Sequence, residues 1–133
     1  MRTETIDTRP EAAPREQAPV SDVALWTAVL VGPLVFLLNL QVNYVMLDWV
    51  CARGNAWALH IAHAIAVAVA VASALVSRSF WQRAGGSWPD SAGGSAARTR
   101  LLGALGTLGG GLFALSIGAQ WLTVIILGAC LRI

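Results

Sequence analysis

Three long apolar runs, Val23 to Val50, Ala56 to Val76 and Leu101 to Leu131, set the plan of this chain. Each is about 20 residues or longer, and a helix of that length, rising 1.5 Å per residue, matches a hydrocarbon core of roughly 30 Å. One stretch inside the second run, Ala62 to Ala74, alternates with the period of a strand. An open strand cannot satisfy its backbone in lipid and alanine favours helix, so the stretch is read as helix. The pattern therefore predicts an all-α fold: a bundle of three transmembrane helices spanning about 23–50, 56–76 and 101–131 within a membrane domain of 23–131. Residues 1–22 are expected to be a disordered cytoplasmic tail, and 79–100 a flexible cytoplasmic link rich in Gly and Ser.

Punctuation residues sharpen this plan. Ser21 and Asp22 stand where a side chain can cap the first free N–H groups and a negative charge suits the helix dipole. Pro33 removes one backbone donor and is tolerated in a membrane helix, with or without a mild kink. Gly54 suits a left-handed helix end and Asn55 the next N-cap, so the first two spans form a tight antiparallel hairpin. Trp26, Trp49 and Trp57 fall where interfacial anchors belong. Ala64, Ala68 and Ala72 form an i, i+4 stripe on the second span, and Gly106, Gly110, Ala114 and Gly118 form one on the third. Small residues at this spacing let helix backbones approach closely, which predicts packing of spans two and three along them. The rival use of the third-span stripe is a homodimer through Gly106, Gly110, Ala114 and Gly118.

Composition agrees with a membrane location. Of the 133 residues, 56% are hydrophobic and 12% charged, against about a quarter charged in a soluble domain. The tail Met1 to Asp22 mixes acidic residues with Arg and is broken by Pro10, Pro14 and Pro19, which does not read as a signal peptide, so it is expected to stay attached. All nine cations are Arg, and the net charge of +2 is small, so nucleic acid is not an expected partner. Arg78, Arg83, Arg98 and Arg100 cluster around the second link, whereas the hairpin carries only Arg53 and the C-terminus only Arg132. By the positive-inside rule the link and the N-terminus are cytoplasmic and the C-terminus periplasmic in a multi-pass protein of a bacterial inner membrane.

Two constellations are candidates for chemistry. Cys51 and Cys130 return to the same outward face, where an oxidising environment permits a disulfide. Inert membrane-facing thiols are the main alternative, and redox or metal chemistry a lesser one, because the spacing fits no CxxC or zinc pattern. The second constellation is a buried polar layer of Asn39 and Asn43 on span one, His60 and His63 on span two and Gln120 on span three. Counted inward from the hairpin face, Asn39, His63 and Gln120 lie about 8 to 11 residues down, roughly 12 to 16 Å, so they can meet. Gln41 points away from the Asn pair and needs another neighbour, such as a second subunit.

The plainer role for this layer is hydrogen bonding across helices that fixes their register. The sharper one is a ligand site, since ionisable groups in a span are costly and often functional, and His can ligate metal or carry a proton. Both His lie on span two, so one chain cannot supply two haem ligands from different helices, and no Cys, Asp or Glu joins them at the same depth to complete a metal set. Tyr44, Met46 and Trp121 lie near this outer half, as interface anchors or as the lining of a quinone or lipid-headgroup pocket. No Asp or Glu lies well inside a span, which disfavours a proton-coupled transporter. The absence of vicinal cysteines disfavours a quinone-linked thiol oxidase.

The segment Gly32 to Tyr44, then Trp49-Val50-Cys51, His60 and His63, and Ala119-Gln120-Trp121 before Cys130, resembles a group of uncharacterised small three-span bacterial inner-membrane proteins encoded near haem-copper terminal oxidases. The resemblance covers the three spans but neither the tail nor the link. It implies an accessory or assembly role in the respiratory chain, with oxidase subunits as partners; the leading expectation is a non-enzymatic protein without a cofactor. The alternative is a redox membrane protein that binds haem, copper or quinone through His60 and His63.

Overall fold

A computed structural model describes residues 20–88 and 93–130; the disorder expected of the tail falls mainly on residues 1–19, outside that range. Three helices make up the fold: α1 (Asp22–Arg53), α2 (Trp57–Arg83) and α3 (Ser95–Leu127), with no strand among the described residues. All three are long and apolar enough to cross a membrane. They hold 32, 27 and 33 residues, so each is about 40 to 50 Å long and outreaches the hydrocarbon core.

Local chemistry explains most of the helix ends. Ser21 Oγ accepts from the Ala24 N–H at 3.3 Å, and Asp22 occupies the first turn. The helix continues through Pro33. Gly54 closes α1 in the left-handed region at φ 65°, and the Asn55 N–H returns to the Val50 carbonyl at 3.3 Å, an arrangement open to Gly without the Cβ penalty. Asn55 Oδ1 accepts from the Trp57 N–H at 3.0 Å, but the N-cap position of α2 falls to Ala56, one residue beyond the expected Asn55, within a three-residue turn. At the other end the helices run further into the second link than its composition indicates. Residues 79–83 belong to α2 and 95–100 to α3, which leaves 84–94 between them. The third helix stops at Leu127, short of the expected 131, where Gly128 turns the chain at φ 75°.

Each helix touches the other two, and α2 with α3 forms the largest contact. The stripe that α2 buries is Leu59, His63, Ala66, Ala70, Ser73 and Ser77, a run of alternating four- and three-residue steps. Ala64, Ala68 and Ala72 are exposed, so the expected pairing of the second and third spans is present but through another face of α2. Alanine occupies every even position from 62 to 74, which puts an alanine stripe on several faces and leaves the rotation to the polar residues. On α3, Gly103, Gly106 and Gly110 are buried, and they are occupied within the bundle. A Cβ added at Gly103 would stand 2.8 Å from the Trp81 backbone nitrogen, and one at Gly106 would collide with the Ser77 hydroxyl. One added at Gly110 would stand 3.0 Å from Ala74 Cβ, while one added at Gly32 of α1 would stand 3.3 Å from the Gly110 Cα. Ala114 packs on the Ala66, Ala70 and Ile117 core. Gly118 alone of the proposed dimer stripe has open space where a side chain would be.

The bundle interior thus combines small and polar residues with a few large apolar ones such as Leu25, Leu59 and Ile117, and it is coated by large apolar residues, among them Leu34, Leu38, Leu108, Leu112, Leu115 and Ile126. In water such a coat would be a large exposed apolar patch, whereas lipid accepts it without cost. The fold is consistent with a multi-pass membrane protein whose outer surface contacts the bilayer.

Candidate functional site

The hairpin end of the bundle holds the polar layer, and three side-chain hydrogen bonds join its helices pairwise. Asn39 Nδ2 of α1 donates to Gln120 Oε1 of α3 at 3.1 Å. Asn43 of α1 meets His63 of α2 at 3.2 Å between Nδ2 and Nε2. Trp121 Nε1 of α3 donates to His60 Nδ1 of α2 at 3.0 Å. Each helix pair receives one bond, so no helix can rotate about its axis without breaking two of the three.

These contacts also assign the imidazole protons. His63 is fully buried, and its Nδ1 lies 2.8 Å from the Leu59 carbonyl oxygen. A carbonyl only accepts, so Nδ1 carries a proton, and in the neutral ring Nε2 then accepts from the Asn43 amide. His60 has the opposite arrangement, with Nδ1 accepting from the indole and the proton of the neutral ring on Nε2. The His63 ring stacks near the indole of Trp121, with centroids 6.4 Å apart and planes 19° from parallel. Trp121 therefore touches both His residues, a role its sequence position did not reveal.

Of the three residues that the depth count brings to one level, Asn39 and Gln120 pair with each other, while His63 pairs with Asn43, and His60 joins the group through Trp121. Gln41 faces outward, as does Tyr44 at 81% exposure. Tyr44 and Trp121 consequently do not line one pocket. Two acceptors in the layer, Asn39 Oδ1 and Asn43 Oδ1, are buried without a protein partner, one helical turn apart on α1. Chemically they can accept a hydrogen bond from a small donor, and neither brings charge. Among the described residues, no group of three or more His, Cys, Asp and Glu is placed to share a metal ion.

Beyond the layer, Cys51 and Cys130 are joined, with S–S 2.04 Å and Cα atoms 5.5 Å apart, within the range a disulfide allows. The bond ties the end of α1 to the segment just past α3. At the link end, Asp22 and Arg98 form an exposed ion pair at 3.6 Å, and Ser87 accepts from Trp81 Nε1 through its carbonyl and from Arg100 Nη1 through its hydroxyl.

A substitution at His63 reads the strength of the layer. His63→Leu removes the partner of Asn43 in an apolar interior and lowers bundle stability by about 0.6 to 1.7 kcal/mol, the range of interhelical hydrogen bonds in membranes. His63→Gln can still donate and accept and loses less. Thermal unfolding in detergent compares them, and a Leu variant as stable as the parent would show that the bond adds nothing. No family model, curated protein or solved structure matches this chain.

Proposed function

We propose that the chain is a non-enzymatic accessory or assembly protein of a bacterial inner membrane that packs against a respiratory terminal oxidase. The observation that supports the non-enzymatic part is that the acceptor nitrogen of each imidazole in the layer is already occupied. The lone pair of His60 is taken by the Trp121 indole and that of His63 by the Asn43 amide. A haem iron or copper ion needs such a lone pair; His63 gives its N–H to the Leu59 carbonyl, which leaves the His60 Nε2–H as the ring donor open to a quinone oxygen. The residues therefore serve better to hold three helices in register than to ligate a haem iron or copper ion. The oxidase is named by the resemblance of Gly32 to Tyr44, the two His and the two Cys to small proteins encoded near such enzymes.

Purification of the full-length protein from native membranes tests both parts. The expected result is oxidase subunits in the eluate, with no haem absorption band and no metal in stoichiometric amount. Stoichiometric pigment or metal would overturn the non-enzymatic part, and an eluate without oxidase subunits would overturn the partner.

Orientation belongs to the same proposal. The four Arg around the link favour a cytoplasmic link, which puts the disulfide end in the oxidising periplasm. A reporter fused at residue 90 is expected to be active only as a cytoplasmic reporter, and one fused at the C-terminus only as a periplasmic one. The reverse pattern would invert the topology.

A further inference from the structure

We propose that two copies of this chain associate in parallel through one face of α1, centred on Gln41. This side chain is exposed and has no side-chain hydrogen bond within the described residues. It lies about 18 Å along the helix from Arg53 and about 28 Å from Asp22, at 1.5 Å per residue. Both distances put it inside the hydrocarbon layer, where an amide facing lipid finds no partner in the solvent and its burial is costly.

Its surroundings form a seam. Leu30, Leu34, Leu37, Gln41 and Tyr44 follow steps of four, three, four and three residues, and all are exposed. This is the spacing of a coiled-coil interface, in which a single polar residue at a core position sets register and oligomeric state. The same surface faces no other helix of the bundle. The small-residue surface on α3 is not an equivalent candidate, because Gly103, Gly106 and Gly110 already receive α2 and α1.

A second copy is the occupant that the chemistry selects. An amide carries both donor and acceptor, so two Gln41 side chains across a two-fold axis can each donate one bond and accept one with no further polar group. All copies share one membrane orientation, so an axis along the bilayer normal brings the two Gln41 to the same depth without any adjustment. Asp48 continues the stripe toward the hairpin end, where water and salt screen its counterpart.

Donor and acceptor dyes on separate copies, diluted together in lipid vesicles, test the proposal by energy transfer. Its expected result is a dimer whose association constant falls about 3- to 30-fold with Gln41→Leu, from the range of membrane hydrogen bonds. Gln41→Asn, which keeps both donor and acceptor, retains most of it. Both native cysteines are bonded to each other, so an introduced thiol reports alone. Leu37→Cys cross-links to its counterpart on oxidation, whereas Leu115→Cys on the lipid face of α3 does not. Unchanged helicity and an intact disulfide in Gln41→Leu establish that folding is preserved. Four results would overturn the proposal: a parent protein monomeric at every dilution, a dimer indifferent to Gln41→Leu, cross-linking at Leu115 in place of Leu37, or a monomer that uses Gln41 to hold a different membrane protein.

Discussion

Alanine at Gly110 lowers the stability of the bundle by about 1 to 3 kcal/mol, whereas alanine at Gly109 or Gly111 leaves it unchanged or raises it by up to about 1 kcal/mol. The three residues are consecutive and chemically identical, so only their direction differs. A Cβ at Gly110 would stand 3.0 Å from Ala74 Cβ and 3.1 Å from Ala74 Cα. Relief requires the whole of α2 to move, since a backbone atom has no rotamer to change. At Gly109 and Gly111 an added Cβ meets nothing within 4 Å, and alanine there gains its higher helix propensity. Thermal unfolding in detergent micelles separates these cases. The opposite ordering would mean that α3 presents another face to its neighbours.

Removing the disulfide has the largest single effect, up to about 4 kcal/mol. Cys51 and Cys130 are 79 positions apart, and closing so long a loop restricts the unfolded chain by about that amount in the entropy model. The figure is an upper bound, because helices that stay inserted after unfolding already lack much of a free chain's entropy. Reductant is expected to lower the melting temperature of the parent protein to that of the Cys51→Ser, Cys130→Ser double variant and to leave the variant unaffected. A parent insensitive to reductant would show that antiparallel packing alone holds the two ends together.

The spans, the hairpin and the cysteine pair were legible because each follows from a one-dimensional signal: run length, Gly54 with Asn55, and two cysteines at the same end of an up-down-up path. Helix rotation is a different kind of quantity. In a soluble bundle the apolar stripe reports it, but here apolar residues cover every face of α2 and small ones recur every second position. The signal was present in His63, Ser73 and Ser77, which share the buried stripe, since polar groups in a membrane helix turn inward. Anchoring on them would have selected Ala66 and Ala70 over Ala64 and Ala68. Depth counting gathered the polar layer correctly but could not assign its partners, because Asn39 and Asn43 are a single turn apart and either can reach across. Trp121 was legible as an anchor or pocket-lining residue beside Tyr44, but its indole bond to His60 was not, because an anchor is the ordinary use of tryptophan near a membrane surface.

The two ends of the bundle are fastened by interactions of very different kinds. At the hairpin end α1 is held to the neighbourhood of α3 covalently and to α2 by a turn of three residues. At the link end the side-chain connection from α1 to α3 is the exposed Asp22–Arg98 pair, of a type worth about 0 to 1 kcal/mol. Such a body is expected to open first at the end away from the disulfide, like a pair of tongs with the fastened end as pivot, against the buried bond from Ser77 Oγ to the Ala28 carbonyl and the close packing of Gly103 on Trp81. Amide hydrogen exchange is accordingly expected to be faster around Asp22 to Ala28 and Ala97 to Ala104 than around the polar layer. Added salt should widen the contrast by screening the ion pair, while reductant should narrow it by releasing the pivot.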